Sequence, residues 1–191
     1  MLNIAVLISG GGTNLQSLID NIDMGNINGK IKIVISNRKD AYGLVRAEKA
    51  GIEALYIAPS GLSDEEYNRK VIEELEKRNI ELVVLAGYLK ILSKEFIRKY
   101  NKKIINIHPS LLPKFGGKGY YGERVHKAVL ESGEKTTGAT VHFVDEGTDT
   151  GPIILQETVE VREDDTVESL QKRVLELEHR LLPEAVRLIC K

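Results

Sequence analysis

The sequence predicts an α/β fold: an open, mostly parallel, Rossmann-like sheet with helices on both faces and an antiparallel C-terminal extension. Three observations carry this expectation. Strand-like and helix-like segments alternate through the first 108 residues, the pattern of a parallel sheet joined by crossover helices. The strand-like runs Ile4–Ile8 and Leu82–Ala86 are apolar throughout, as strands buried on both faces are. After residue 122 the alternation gives way to two adjacent strand-like segments and one long helical pattern.

Taken in order, Asn3–Ser9 reads as a buried strand and Asn14–Asp23 as a helix. Lys32–Ser36 is the second strand, followed by a helix over Tyr42–Ala50 and a short strand at Ala54–Ile57. Asp64–Asn79 is a helix because Tyr67, Val71, Ile72 and Leu75 recur at helical spacing. Ser63 and Glu66 form the signature of a capping box at its start. Leu82–Ala86 is a strand, Lys94–Tyr100 a helix and Ile104–His108 a strand. Gly122–Ser132 reads as a helix. Thr140–Val144 and Ile153–Val161 read as two strands antiparallel to each other. Asp165–Ile189 is one long helix with Thr166 near its start.

The 191 residues are 42% hydrophobic, which suits one domain over residues 1–191 that buries roughly 70% of its unfolded surface. A net charge of −1 without a dense basic block argues against nucleic acid as a main partner. The apolar runs are strand-sized, far short of the ~20 residues a membrane helix needs. The N-terminus lacks the basic region and cleavage site of a signal peptide. Cys190 is the only cysteine, so no intramolecular disulfide forms and a reducing cytoplasm is the expected setting.

Ligands of open α/β sheets sit beyond the carboxyl ends of the parallel strands. There, Ile104–His108 runs into Pro109. Alternation puts Asn106 and His108 on one face and leaves Ile105 and Ile107 to the core. An amide donor beside an imidazole suits a carbonyl that becomes an oxyanion while a proton moves. The irregular loop that follows is where sites tend to lie. Asp149, 41 residues on in a glycine-rich loop, is placed to hold the imidazole and raise its pKa, or else to close its own turn.

Ser9-Gly10-Gly11-Gly12-Thr13-Asn14 joins the first strand to the first helix. Its glycines allow close backbone approach, and the helix N-terminus offers free N–H groups to a phosphate. A dinucleotide fingerprint wants glycine where Leu15 stands and an acid where Ser36-Asn37-Arg38 closes the second strand. Arg38 can imitate a 2′-phosphate binder, but a small phosphorylated substrate fits better than a nicotinamide cofactor. No Walker lysine follows the loop. His142 is expected to support the site from behind, and His126 to lie on the surface. Glu176 and Glu178 read from composition as a solvated helix face. No His, Asp or Cys spacing suggests a metal.

Five motifs carry a family resemblance: Ser-Gly-Gly-Gly-Thr-Asn at 9–14, Val-Leu-Ala-Gly-Tyr-Leu-Lys-Ile-Leu at 84–92, Asn-Ile-His-Pro-Ser-Leu-Leu-Pro at 106–113, Gly-Ala-Thr-Val-His-Phe-Val at 138–144 and Asp-Thr-Gly-Pro-Ile-Ile at 149–154. In this order they resemble the phosphoribosylglycinamide formyltransferases, folate-dependent enzymes of purine synthesis, over essentially the whole chain. The resemblance implies that the amine of 5′-phosphoribosyl-glycinamide attacks the formyl carbon of 10-formyltetrahydrofolate, without a metal. It implies that Asn106 and His108 bind the oxyanion and handle protons, with Asp149 raising the imidazole's pKa. It puts the ribotide phosphate on Gly12, Thr13 and Asn14, and the amine on Glu178. It puts the folate on backbone at Leu89, Lys90, Ile91 and Leu92 and on the loop Asp145, Glu146, Gly147, Thr148 and Asp149. Residues 1–108 thus become the phosphate-binding half, and 109–191 the half with the folate-site loops, antiparallel strands and long helix.

Three departures stand out. Lys90 replaces the arginine of many members. Asp64 stands where some present a basic residue to the folate tail. The glycine-rich loop Phe115–Tyr121 replaces a Pro-Gly turn. None is expected to touch the Asn106–His108–Asp149 set. A formyltetrahydrofolate hydrolase usually has an added N-terminal domain, and a methionyl-tRNA formyltransferase an added C-terminal one; the length of this chain argues against both. An NADP-dependent reductase and a non-catalytic phosphate-ligand binding module are the readings from other classes. Without coiled-coil heptads, monomer and weak homodimer stay open.

Overall fold

The computed structural model describes residues Met1–Lys191. Seven strands form one sheet: β1 (Leu2–Ile8), β2 (Gly29–Ser36), β3 (Ala54–Tyr56), β4 (Leu82–Leu85), β5 (Ile104–His108), β6 (Thr136–Phe143) and β7 (Ile153–Glu160). Their order is β3-β2-β1-β4-β5-β6-β7. Strands β1 to β5 pair in parallel, while β6 is antiparallel to both β5 and β7. The helices are α1 (Thr13–Asp23), α2 (Tyr42–Lys49), α3 (Asp64–Lys77), α4 (Lys94–Lys99), α5 (Glu123–Ser132) and α6 (Val167–Ile189). This is the predicted α/β architecture, antiparallel extension included.

Strand alternation sorts the interior into two cores. On β1, Ile4, Val6 and Ile8 face the core shared with α1, α2, α5 and α6. Ala5 and Leu7 face α3 and α4. Tyr67, Val71, Ile72 and Leu75 of α3 are buried there, the three aliphatic ones each worth about 1.5–3 kcal/mol relative to exposure. The predicted capping box opens α3: Ser63 Oγ accepts the Glu66 N–H, and the Glu66 carboxylate accepts the Ser63 N–H.

Several boundaries differ from expectation, β2 beginning at Gly29 rather than Lys32 among them, and two differ for visible reasons. β6 begins at Thr136 rather than Thr140, because Thr136, Thr137 and Gly138 pair with Glu160, Val159 and Thr158 of β7. Backbone pairing supplies what the hydrophobic pattern does not show. α6 begins at Val167, with Thr166 as its N-cap. Asp165 lies before it and binds the Arg173 guanidinium at 2.6 and 2.7 Å.

α6 also contains Pro183. Proline has no N–H, so the carbonyl four residues earlier, that of His179, loses its helical partner. Ser17 Oγ on α1 donates to that carbonyl instead. The contact ties α1 to α6 one residue from Glu178.

Candidate active site

The loops after β1, β4 and β5 meet at the carboxyl edge of the sheet. β1 lies between β2 and β4, so the chain's crossovers diverge there and leave a crevice. Asn106 and His108 emerge from β5 on the face opposite Ile105 and Ile107, which join the first core. Across the antiparallel pair Asn106 faces His142, and His108 faces Thr140. Thr140 Oγ1 donates to the Ser110 carbonyl at 2.7 Å and accepts the Leu112 N–H at 3.2 Å. The loop leaving His108 is thereby pinned.

Asn106 Nδ2 lies 3.2 Å from His142 Nε2, and His142 Nδ1 lies 3.0 Å from the Phe143 carbonyl. A carbonyl only accepts, so Nδ1 carries the proton and Nε2 accepts from Asn106. His142 thus orients the amide from behind. Asp149 reaches in from the β6–β7 connection. Its Oδ2 is 3.6 Å from His108 Nδ1 and its Oδ1 3.7 Å from His142 Nε2. The Gly117 N–H donates to Oδ2 at 3.0 Å. Asp149 has φ 57, a left-handed backbone that Asp and Asn adopt more readily than other L residues.

His108 is 4% exposed. Burial holds its pKa below the usual 6.5 and outweighs Asp149 and the Phe115 carbonyl, which act upward; His142 adds to the lowering. The carboxylate pulls upward, as expected, but burial, which the sequence does not show, wins. His108 Nε2 donates to the Phe115 carbonyl at 2.8 Å. The neutral ring therefore turns its Nδ1 lone pair toward Asp149, and protonation there makes an ion pair. Burial also pushes the Asp149 carboxyl upward, but the neighbouring His142 and His108 imidazoles and the Gly117 N–H together hold it below 3.8.

Two expectations fail here. The Phe115–Tyr121 loop does touch the Asn106–His108–Asp149 set, through the Phe115 carbonyl and the Gly117 N–H. Backbone groups have no signature in composition, so side-chain reasoning missed them. His126 is buried, not on the surface. It shares the inner stripe of α5 with Val125 and Val129, and its place three residues before Val129 was the available signal. Burial, then the nearby His108, lowers its pKa to about 4.

On the other face of the sheet, Asn14 Nδ2 donates to Glu178 Oε1 at 3.3 Å. Both residues are buried, so the solvated-face reading of Glu178 is corrected; Glu176 alone is exposed. Burial raises the Glu178 pKa to about 7, with the Asn14 hydrogen bond opposing. Gly12 is the N-cap of α1 and no side chain caps that helix, so its first-turn N–H groups point toward the glycine loop without a side-chain acceptor. Arg38 pairs with Asp40 at 3.3 Å, and both are exposed. Among His, Cys, Asp and Glu, no group of three is placed to hold a metal ion.

The glycine loop makes a sharp prediction. A Cβ on Gly12 would sit 2.6 Å from Gly43 Cα, at φ 74, whereas one on Gly11 meets nothing within 4 Å. Gly12→Ala should therefore destabilise the fold by about 2–4 kcal/mol, combining left-handed strain with overpacking. Gly11→Ala should unfold at nearly the wild-type denaturant midpoint. Equal midpoints for the two variants would show that α2 yields easily.

In the Leu89–Leu92 segment, Leu89 and Ile91 are 57% and 78% exposed, while Leu92 enters the second core. Lys90 Nζ lies 3.3 Å from Asp64 Oδ1 and 4.7 Å from the Tyr67 ring centroid. Two of the departures are thus each other's partners. In the β6–β7 loop, Asp145 Oδ1 accepts from the Gly147 N–H and Thr150 Oγ1, and Glu146 pairs with Arg98 at 3.1 Å.

Residues 2–186 match the family model described as Formyl transferase. The chain belongs to the formyl transferase family. It is 45% identical, over 98% of its length, to the chloroplastic phosphoribosylglycinamide formyltransferase of Arabidopsis thaliana, of which it spans 65%. It is 43% identical to the phosphoribosylglycinamide formyltransferase of Haemophilus influenzae, over 98% of this chain and 86% of that one. The crystal structure of glycinamide ribonucleotide transformylase 1 from Symbiobacterium toebii superposes with a TM-score of 0.94 at 46% identity, covering 100% of this chain and 88% of that one. In this member of the family, Asn106, His108 and Asp149 gather near the carboxyl edge of the sheet. No helix is long and apolar enough to cross a membrane.

Proposed function

We propose that this chain transfers the formyl group of 10-formyltetrahydrofolate to the amine of 5′-phosphoribosyl-glycinamide, giving the formylglycinamide ribotide and tetrahydrofolate in de novo purine biosynthesis. The observation that carries the reading is the convergence of Asn106, His108 and Asp149 between two loops suited to two substrates. The uncapped N-terminus of α1 holds the ribotide phosphate through backbone N–H groups at Gly12, Thr13 and Asn14. Asn14's own amide nitrogen is engaged by Glu178, so its part toward the phosphate falls to the backbone. Glu178 accepts from the substrate amine. The folate lies along backbone at Leu89 to Leu92 and the 145–149 loop. Support for the substrates comes from the named relatives and from these placements.

The amine nitrogen attacks the formyl carbon, and the formyl oxygen gains negative charge. The second Nδ2 hydrogen of Asn106 and the His108 Nε2–H donate to it, the formyl oxygen taking the place of the Phe115 carbonyl. Phe115 sits at φ 54, a left-handed backbone that costs of order 1 kcal/mol for a residue other than glycine. Asp149 stabilises the imidazolium. As the intermediate collapses, the bond from the formyl carbon to the folate nitrogen breaks. That nitrogen takes up a proton, and the former amine gives one up. The setting is cytoplasmic, in keeping with a single buried thiol, and the active unit is a monomer or a weak homodimer.

The test is an assay of the purified protein with both substrates, following appearance of deformylated folate. Folate release that requires the ribotide is the expected result. Release without it would make the protein a hydrolase, and no release with both substrates bound would leave a binding module.

A further inference from the structure

Ser9 directly follows β1 and is buried at 3% exposure, yet its side chain belongs to neither core. Its Oγ donates to Asn37 Oδ1 at 2.6 Å and accepts the Leu89 N–H at 2.9 Å. Asn37 follows β2 and Leu89 lies in the loop after β4, and those are the two sheet neighbours of β1. One hydroxyl therefore ties together the loops that leave three adjacent strands. The next residues are the glycine loop, itself held by two further contacts. The Gly10 carbonyl accepts the Gly43 N–H at 3.1 Å, and the Gly11 carbonyl accepts Arg46 Nε at 2.7 Å.

The roles within this knot are forced. Asn37 Oδ1 can only accept, so it fixes the direction of the Ser9 hydroxyl hydrogen. The hydroxyl lone pairs are then turned toward Leu89, whose N–H is the first backbone donor of the segment proposed for the folate. The Leu89 side chain is largely exposed, so this backbone contact rather than packing holds the residue in place.

We infer that Ser9 is a positioning residue for the folate segment: its hydroxyl, aimed by Asn37, sets the Leu89 backbone in register with the glycine loop, so that the sites for the two substrates are built on one shared hydrogen-bonded knot. This rests on the proposed placement of the folate along Leu89 to Leu92. Asn37 touches no substrate in this scheme and acts only through the Ser9 oxygen. Loss of either group frees the Leu89 N–H to turn, and the folate pays the ordering cost on binding.

The experiment is a double-mutant cycle with Ser9→Ala and Asn37→Ala. It is read by steady-state kinetics, by calorimetric titration with tetrahydrofolate and with the ribotide, and by thermal unfolding. Ser9→Ala should raise the folate KM and the tetrahydrofolate Kd about tenfold, with kcat and ribotide affinity within about twofold. Asn37→Ala should weaken tetrahydrofolate several-fold, and the double variant no more than Ser9→Ala alone, the signature of one shared contact. A lower Tm in both single variants with tetrahydrofolate affinity unchanged would overturn the inference and leave Ser9 a packing contact. Additive losses in the cycle would also overturn it, as would an unchanged Kd in Asn37→Ala should Ser9→Ala fail to fold. Wild-type protein that binds both ligands without transferring the formyl group would sink the proposed reaction, while the cycle on tetrahydrofolate binding still decides the role of Ser9. Wild-type protein that does not bind tetrahydrofolate would sink both.

Discussion

Glu178→Gln is expected to stabilise the fold at pH 8 by about 3 kcal/mol while weakening ribotide binding. Burial raises the Glu178 pKa from 4.5 to about 7. Between those values the folded protein binds a proton that the unfolded chain has released, so stability falls as pH rises through that window. Each pKa unit is worth 1.36 kcal/mol, which sets the full penalty above pH 7 at about 3 kcal/mol. Glutamine keeps the shape without the charge. Its amide also finds an acceptor, because Asn14 Oδ1 is buried without a hydrogen-bond partner. At pH 5 the gain should shrink to under about 1 kcal/mol, since little of the charge is present there. Urea unfolding at the two pH values measures the difference. Calorimetry should show ribotide binding weakened by about 1.5–3 kcal/mol, the worth of a hydrogen bond to a charged group. Glu176→Gln, on the exposed side of α6, should do neither. A variant that loses affinity at pH 8 with no gain in stability would mean that water or a neighbour already relieves the carboxylate.

That penalty was invisible in the sequence, and the reason is general. Periodicity reports how a segment relates to its own axis. It located β5 at Ile104–His108 to the residue and put Asn106 and His108 on the face away from Ile105 and Ile107. Glu178 sits in the inward arc of α6 with Val174, Leu177 and Leu181, yet composition ranks a helical glutamate as solvated. Only the resemblance to known formyltransferases separated it from Glu176. What buries it is α1, more than 160 residues earlier in the chain. The lowered pKa of His108 has the same origin. A carboxylate 41 residues away was legible as a partner, but the depth to which the imidazole is buried was not. The contacts of Phe115 and Gly117 lie further out of reach, since a carbonyl and an N–H are present at nearly every position.

Asp149→Asn should lower kcat by about 10²–10⁴, the scale of lost acid–base assistance. The substitution suits the site. Asparagine adopts the left-handed backbone that Asp149 holds at φ 57, and its side-chain oxygen can still accept the Gly117 N–H. What is lost is the negative charge 3.6 Å from His108 Nδ1. Burial already holds His108 below 6.5, and Asp149 is the largest influence acting the other way. Its removal lowers the pKa further, so at pH 7 a smaller share of the imidazole is charged when the formyl oxygen needs a cation. The limb of the kcat profile due to His108 should move to lower pH. The folate KM should change far less than kcat, because the charge matters most in the transition state. The same loss must be separated from damage at His142, whose Nε2 lies 3.7 Å from Asp149 Oδ1. His142→Gln should lower kcat by loosening the Asn106 amide, but any movement of the His108 limb should be upward, opposite to that of Asp149→Asn, because His142 adds to the lowering of the His108 pKa. If Asp149→Asn keeps near-wild-type kcat and an unmoved limb, the carboxylate only closes its loop over Gly117, and the formyl oxygen is stabilised by Asn106 without a charged imidazole.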